Sequence, residues 1–489
     1  MPILSSILWL PLVAAVLMAV IPSTRIRLIR AIAHAATGGI LLLILSLLVR
    51  FDTTTPSLQF SEFARWNPGP GSHYALAVDG ISLPLLLLSG LLCGLVSLVS
   101  HTIRHHIKGY HIALMILEFG LLGVFMAQDW ALFYVFWQAT LIPLFFLIDR
   151  WGGQARHTAS FNFLLYTMGG SVFVLIALLV IFTQSAEHST ALSAMTKTAQ
   201  SLTREQQCWL LLGLCIGFGV KMPVFPLHGW LPLVHVEAPG PVGILLSGVL
   251  LKMGAYGLLR AIGMLPDAAL LFQPWLAGLA LIGMLYGALL AFRQTDLKAM
   301  LAYSSVSYMG SVLLGIASLN ETGLLGASLQ MNAHGFVAAA LFLLAGLLYE
   351  RTQTCQLQDY GGLIQVVPRF ALLTSLAWFG CMALPGTASF VAELHILLGS
   401  LQSFGALTVV ASLALLIGAA YAIRTTGRLL TGPLSPDRLS LTDLNQREWL
   451  AGGLLAMGVI LPGIMPEPLI QIMNATVTEL GSLFAYRNL

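Results

Sequence analysis

Five ionisable side chains stand inside otherwise apolar runs of this sequence. Glu118 lies in GYHIALMILEFGLL, and Lys221 lies in IGFGVKMPVFPLHGWLP. Lys252 lies in GVLLKMGAYGLL, His334 in LQMNAHGFVAAAL and Glu393 in ASFVAELHILL. A charge at the centre of a bilayer costs about 2.5–3.5 kcal/mol on insertion scales, so each needs a reason. Carboxylates, amines and imidazoles accept and release protons. Burial disfavours a lysine's charged form and a carboxylate neighbour favours it, so a lysine between those influences can exchange a proton. A series Glu, Lys, Lys, His, Glu, with water bridging the gaps, has the make-up of a proton relay. The alternative is a set of buried pairs that tie helices together, which fits one residue better than a set spread over many segments. His334 sits between Lys252 and Glu393 in chain order, which favours a relay role. His228, His235 and Glu237 populate the nearby turn PLHGWLPLVHVEAPGP.

Other chemistry has little to stand on. The sequence holds no phosphate-binding glycine loop, no dinucleotide fingerprint, no haem-ligating histidine pair and no cysteine cluster. The five cysteines lack metal spacing and read as packing thiols. No metal or cofactor is expected in this chain. NET at Asn320 and NAT at Asn474 match a glycosylation sequon, a weak signal.

The elements that must hold these groups are membrane spans. The chain of 489 residues is 57% hydrophobic and 9% charged, with mean hydropathy +0.87. Soluble chains run nearer 25% charged. An all-α polytopic membrane protein follows, with lipid around it and no nucleic-acid partner. At about 20 residues per crossing, the apolar runs give about fourteen spans. The first, from Ile3 to Ile21, has no basic leader and no clear cleavage site, and reads as a retained span. Long connections are expected at 51–75, 184–206 and 429–446. Of the 23 lysines and arginines, 15 fall in loops after odd-numbered spans and 6 on the other side, Arg487 among the latter. The positive-inside rule then places both termini on the outer or lumenal face. Lys298 belongs to one of those basic loops, and topology alone explains it.

Lys221 stands beside Pro223 and Pro226, and each proline removes a backbone donor. A simple kink is one reading. However, 206–234 as one helix would measure about 43 Å, beyond the hydrocarbon core of about 30 Å. A broken helix fits better. The twelfth span repeats the feature at Pro385–Gly386. Interrupted helices in the two halves of a transporter point to inverted repeats. The expected organisation is 1–110 (helices 1–3), 111–265 (a five-helix repeat, helix 7 broken), 266–428 (its inverted partner, helix 12 broken) and 429–489 (a loop and helix 14).

Several stretches carry a family resemblance. They are VDGISLPLLLLSG, QDWALFYVFWQATLIPLFFLIDRWGG, FNFLLYTMGGSVF, VKMPVFPLHGWLP, LLKMGAYGLLR, DLKAMLAYSSVSYMG, LQMNAHGFVAAALFLLAGLLYER and LPGTASFVAE, within Val78–Gly427. In these the sequence resembles the antiporter-like membrane subunits of respiratory complex I, most closely the M type, which are related to the D-type subunits of Mrp antiporters. The resemblance implies a subunit that moves protons while quinone is reduced elsewhere. Quinone, iron–sulfur clusters and, as an option, flavin would belong to partner subunits, and neighbouring antiporter-like subunits would flank this one. The membrane would be an energy-transducing one, bacterial inner or thylakoid. Lys221, Lys252, His334 and Glu393 fall on the family's relay positions. An Mrp-type Na⁺/H⁺ antiporter subunit is the second implied reading, and a scaffold between other pumps is a third.

Three positions depart from the family pattern. FWE is FWQ here, so Gln138 replaces the glutamate that pairs with the span-7 lysine. WLPDAH is WLPLVH, so Leu233 replaces an aspartate. SSVSHMG is SSVSYMG, so Tyr308 replaces a histidine. Gln138 cannot titrate. Glu118, on the neighbouring helix, is the expected substitute partner of Lys221. The competing expectation is a specialised paralogue with an altered proton path, such as one serving inorganic-carbon uptake.

Overall fold

The computed structural model describes residues 2–67, 71–434 and 438–485, so Arg487 lies outside the described residues. The chain opens with α1 (Ile3–Val20) and α2 (Ile26–Arg50), followed by a hairpin of β1 (Gln59–Asn67) and β2 (Ser72–Val78). Next come α3 (Ser82–Val99), α4 (Ile107–Met126), α5 (Trp130–Ala139), α6 (Leu141–Trp151) and α7 (Arg156–Thr183). A short α8 (Leu192–Ser201) precedes α9 (Arg204–Lys221), α10 (Leu231–Glu237) and α11 (Gly240–Leu245). A π turn (Leu246–Leu250) leads into α12 (Leu251–Met264), then α13 (Pro266–Arg293), α14 (Leu297–Ala317) and α15 (Glu321–Thr352). The chain ends with α16 (Pro368–Cys381), α17 (Ala388–Phe404), α18 (Thr408–Leu430), α19 (Gln446–Ile464) and α20 (Glu467–Ala485).

Among the described residues, 12 helical stretches are long and apolar enough to cross a membrane. The burial pattern suits lipid. Val16, Val49, Ile142, Phe161, Trp209 and Leu416 are exposed, while Lys221, Lys252, Glu118 and Glu393 are buried. The centre is built from α12, α14 and α15, whose spans are largely buried, whereas α1, α2 and α7 keep much of their surface outward. α13 packs along α14, and α15 along α17.

Both expected breaks are present. α9 stops at Lys221, and Pro223 and Pro226 lie in the turns that separate it from α10. α16 stops at Cys381, and Pro385 lies in the turn before α17. The end of α19 closes on this second break, where a Cβ on Gly463 would meet the Thr387 backbone. Only glycine leaves that room.

Four features differ from expectation. The 51–75 connection is mostly the β1–β2 hairpin, so α3 starts later than its apolar run suggests. The 184–206 connection contains α8. The span from 130 is interrupted at Thr140, because Pro143 cannot donate to the Ala139 carbonyl. The C-terminal part holds two helices in place of one. Pro466 cannot continue α19, and α20 starts afresh behind it. α20 then touches three helix ends: the Gly80 N–H donates to Thr476 Oγ1 (3.1 Å), Leu480 faces Gly263, and Thr478 donates to Glu321.

Those contacts define one face of the bundle, here the hairpin face. Glu62 of β1 caps α1 on it, accepting from Leu4 N (2.7 Å) and Ser5 N (2.9 Å). Asp129 caps α5 and also accepts from His73 N and Thr190 Oγ1, which ties in β2 and the loop before α8. Asp79, just before α3, is ion-paired to Arg260 of α12. Burial pushes the Asp79 carboxyl up, but the Arg260 guanidinium and the Ser82 hydrogen bonds outweigh it and hold it below the usual carboxylate range. This pair therefore adds stability above the ordinary aspartate range, and the contribution fades as pH falls through the lowered folded value. Asp79→Asn leaves Arg260 with only its Tyr256 contacts, and loss of one partner of a buried pair costs at most about 3–5 kcal/mol. Thermal unfolding of the purified protein should show the variant melting well below the parent at neutral pH, with the gap narrowing in acid. A constant gap across pH would contradict the assignment.

Candidate functional site

Lys221 is the last residue of α9 and is 2% exposed. Its ammonium donates to Thr140 Oγ1 at 3.0 Å and sits 3.5 Å from the Trp137 carbonyl. The same nitrogen lies 4.3 Å from the Trp137 ring centroid. Trp137 and Thr140 share one side of the α5 end, because residues three apart are neighbours on a helix. A desolvated cation over a tryptophan face gains about 2 kcal/mol. The cradle is thus wholly neutral.

Gln138 is turned elsewhere. Its amide donates to Tyr134 Oη and to Ser171 Oγ on α7, both at 2.9 Å. The expectation that Glu118 replaces it as partner of Lys221 is corrected by the packing. Neither Glu118 carboxyl oxygen has a hydrogen-bond partner, and no ion pair among the described residues includes Lys221. α4 meets α5 through Gly120, where a side chain would strike Thr140. Residues 118 and 120 point about 200° apart around the helix axis. Glu118 instead has Cys93 of α3 as its electrostatic neighbour.

The second half of the site is connected. The π turn precedes Lys252, whose ammonium donates to the Ser247 carbonyl at 2.5 Å. Such wide turns recur at functional sites. Lys252 Nζ also meets His334 Nδ1 at 2.9 Å. His235, fully buried on α10, lies within electrostatic reach of both and sits edge-on to Phe342 at 4.7 Å. The His334 ring stacks on Tyr308 of α14 at 5.0 Å. Tyr308 donates to the carbonyl of Cys381, which the second break leaves at the end of α16. A cavity of about 20 Å³ follows, lined by Tyr308, Cys381, Tyr421 and Glu393 among others. A water needs at least about 10–15 Å³ and two to four polar partners, so one water fits here. Glu393 accepts from Gln330 Nε2 at 3.4 Å. Gln330 and His334 lie one turn apart on α15, so that helix serves both ends of this run.

The remaining candidates have separate places. His228 lies in the first break against Phe225 and Tyr286, away from the relay bonds. Glu237 ends α10, accepts from Ala155 N at 2.8 Å, and lines a cavity of about 440 Å³ with Lys298, Asp296 and Glu350. Lys298 is 7% exposed, so topology alone does not account for it. It donates to the carbonyls of Val236 and Ala238 at 3.3 and 3.2 Å, holding the end of α10. Asn320 caps α15 and donates to Gly399 O and Ser403 Oγ. Sequence reasoning missed Trp137, Thr140, Gln330 and Tyr421. Only Gln330 carried a signal, one turn before His334.

Comparisons with known proteins identify the family of the chain. Residues 127–418 match the family described as NADH:quinone oxidoreductase/Mrp antiporter, TM. The chain is 39% identical to NADH-ubiquinone oxidoreductase chain 4 of Arabidopsis thaliana over 98% of its own length and 96% of the relative's. It is also 39% identical to NAD(P)H-quinone oxidoreductase chain 4 2 of Thermosynechococcus vestitus, covering 98% and 92%. Among solved structures, a chain of respiratory complex I from Thermus thermophilus with bound NADH superposes with a TM-score of 0.90 at 32% identity, covering 99% of this chain and all of that one. The polytopic helical fold and the motif resemblance are both borne out, and the chain belongs to the NADH:quinone oxidoreductase/Mrp antiporter transmembrane family.

Proposed function

We propose that this chain is a proton-translocating membrane-arm subunit of a complex I-type quinone oxidoreductase. The observation that carries this reading is the run Lys252–His334–Tyr308–cavity–Glu393. A buried amine in contact with an imidazole, leading to a one-water cavity and a carboxyl, suits stepwise proton transfer. Glu118, Lys221, Lys252, His334 and Glu393 are the proton-handling groups. Gln138, His228, His235, Glu237 and Tyr308 line or support them, and Pro223, Pro226 and Pro385 make the breaks. Electrons pass through partner subunits that carry quinone and iron–sulfur clusters, and no redox step occurs in this chain. With fourteen spans and inverted repeats at 111–265 and 266–428, the bias of basic residues toward one set of loops favours the outer side for the hairpin face and both termini. Neighbouring antiporter-like subunits pack alongside.

Gln138 favours a second reading in which the proton path is altered relative to the family pattern. An Mrp-type Na⁺/H⁺ exchanger is the further alternative. Co-purification from the native membrane separates the exchanger from the other two. Quinone-reducing and iron–sulfur subunits support the first reading, whereas small exchanger partners without redox subunits overturn it.

Two substitutions test the path itself, in the whole complex reconstituted into vesicles. Lys252→Met removes the amine at the centre of the run. Proton uptake coupled to quinone reduction should fall about a hundredfold, the low end for losing a positioned proton-transfer group. Unchanged uptake would sink the relay. Gln138→Glu should change uptake less than about twofold, since the Tyr134 and Ser171 hydroxyls can donate to the new carboxylate in place of accepting. A large gain or loss would mean that Gln138 addresses Lys221 after all.

A further inference from the structure

A second set of polar groups lies outside the run just described, on α2, α3 and α4. His111 and Glu118 are both fully buried on α4. Both ring nitrogens of His111 and both carboxyl oxygens of Glu118 lack a hydrogen-bond partner. Seven residues is almost a whole number of turns, so the two side chains share one face, about 10 Å apart along the axis. Burying a polar group without a partner is costly, and two on one stripe call for an explanation. The stripe continues toward the face opposite the hairpin, here the basic face, where α2 and α4 begin beside Arg25, Arg27, Arg104 and Lys108. His111 lies within electrostatic reach of His34 and Arg30 on α2. His34 is half-buried, and its Nδ1 meets Ser97 Oγ of α3 at 2.8 Å. Arg30 and Arg447 are the charged groups facing His34, and Cys93 is the titratable group facing Glu118.

The stripe stops above Glu118. The next residue on that face, Phe125, packs edge-on against Tyr256 at 5.3 Å. Sideways, the neighbour is different. Leu92, next to Cys93, touches Gly248 in the π turn that precedes Lys252. Glu118 therefore ends a track that begins at the basic face and finishes beside the Lys252 segment. It does not lead to Lys221.

We propose that His34, His111 and Glu118 form a proton inlet from the basic face, separate from the broken-helix lysine, with water joining the three groups. This deepens the proposed function and rests on it. Each step moves one proton between existing N–H and O–H groups. His34 takes it from water at the basic face, His111 takes it next, and the Glu118 carboxylate becomes a carboxyl that then releases it toward the π turn. No electron moves and no other bond breaks.

The test uses the whole complex in vesicles and reads protons moved per quinone reduced. The variants are His111→Leu, Glu118→Gln, Glu118→Asp and the double His111→Leu/Glu118→Gln, with Lys252→Met as reference. The inlet predicts that His111→Leu and Glu118→Gln each lose as much of the ratio as Lys252→Met loses. It also predicts no further loss in the double variant and recovery in Glu118→Asp. Infrared difference spectra during turnover should contain a carboxyl band that Glu118→Gln removes. If His111→Leu and Glu118→Gln keep the parent ratio while Lys252→Met loses it, the inlet is wrong and the proposed function stands. If Lys252→Met also keeps it, both are wrong. Loss in Glu118→Gln alone, with His111→Leu normal, is a packing effect and overturns the inlet. Should Glu118→Gln fail to assemble, His111→Leu and His34→Leu decide by the same comparison.

Discussion

An ammonium group cannot rest in hydrocarbon without something polar to hold it, and much of this bundle answers that constraint. Lys221, Lys252 and Lys298 each meet a backbone carbonyl. In each case local structure has released it. For Lys221 the carbonyl lies at the interrupted end of α5, for Lys252 in a π turn, and for Lys298 at the close of α10. A bilayer tolerates such released carbonyls only where protein surrounds them. The lysines and the irregular turns therefore require each other. The spans that carry the turns must be covered by others, which explains why α1, α2 and α7 face outward while α12, α14 and α15 form the centre.

The same constraint explains what the sequence revealed. A lysine beside a proline in an apolar run violates two local preferences at once, so the first break was readable. Pro385 and Glu393 marked the second in the same way. The resemblance carried the rest of the relay onto numbered positions. Trp137 and Thr140 were not readable, because their role depends on which side of α5 faces the end of α9. That is a matter of tertiary packing. The π turn was hidden for another reason: LLSGVLL contains no residue that demands an extra residue per turn. The error over Glu118 was geometric. Adjacent helices were known, but the facing side of α4 is set by Gly120, which leaves no mark in a hydropathy pattern.

The two halves of the bundle handle their charges differently. Around α15, hydrogen bonds and ring contacts connect one titratable group to the next, from Lys252 to Glu393. Around α5 and α9, Lys221 stands among neutral groups, and no hydrogen bond or ion pair links it to Glu118 of α4. Sequence symmetry alone would have suggested matching halves. Gln138 accounts for part of the difference, since a glutamate there would have given the first half a titratable partner for its lysine.

The position of Lys221 as the final residue of α9 has an electrical consequence. The aligned peptide units of a helix leave roughly half a negative elementary charge at its C-terminal end. That partial charge begins at the residue that bears the ammonium, and the C-terminal end of α5 adds its own where the Trp137 carbonyl lies 3.5 Å from the nitrogen; together they do part of the work a carboxylate at position 138 would have done. A carboxylate can be neutralised by taking up a proton. The end of a helix cannot. The counter-charge of this lysine is thus built into the backbone, permanent for as long as α9 stays wound.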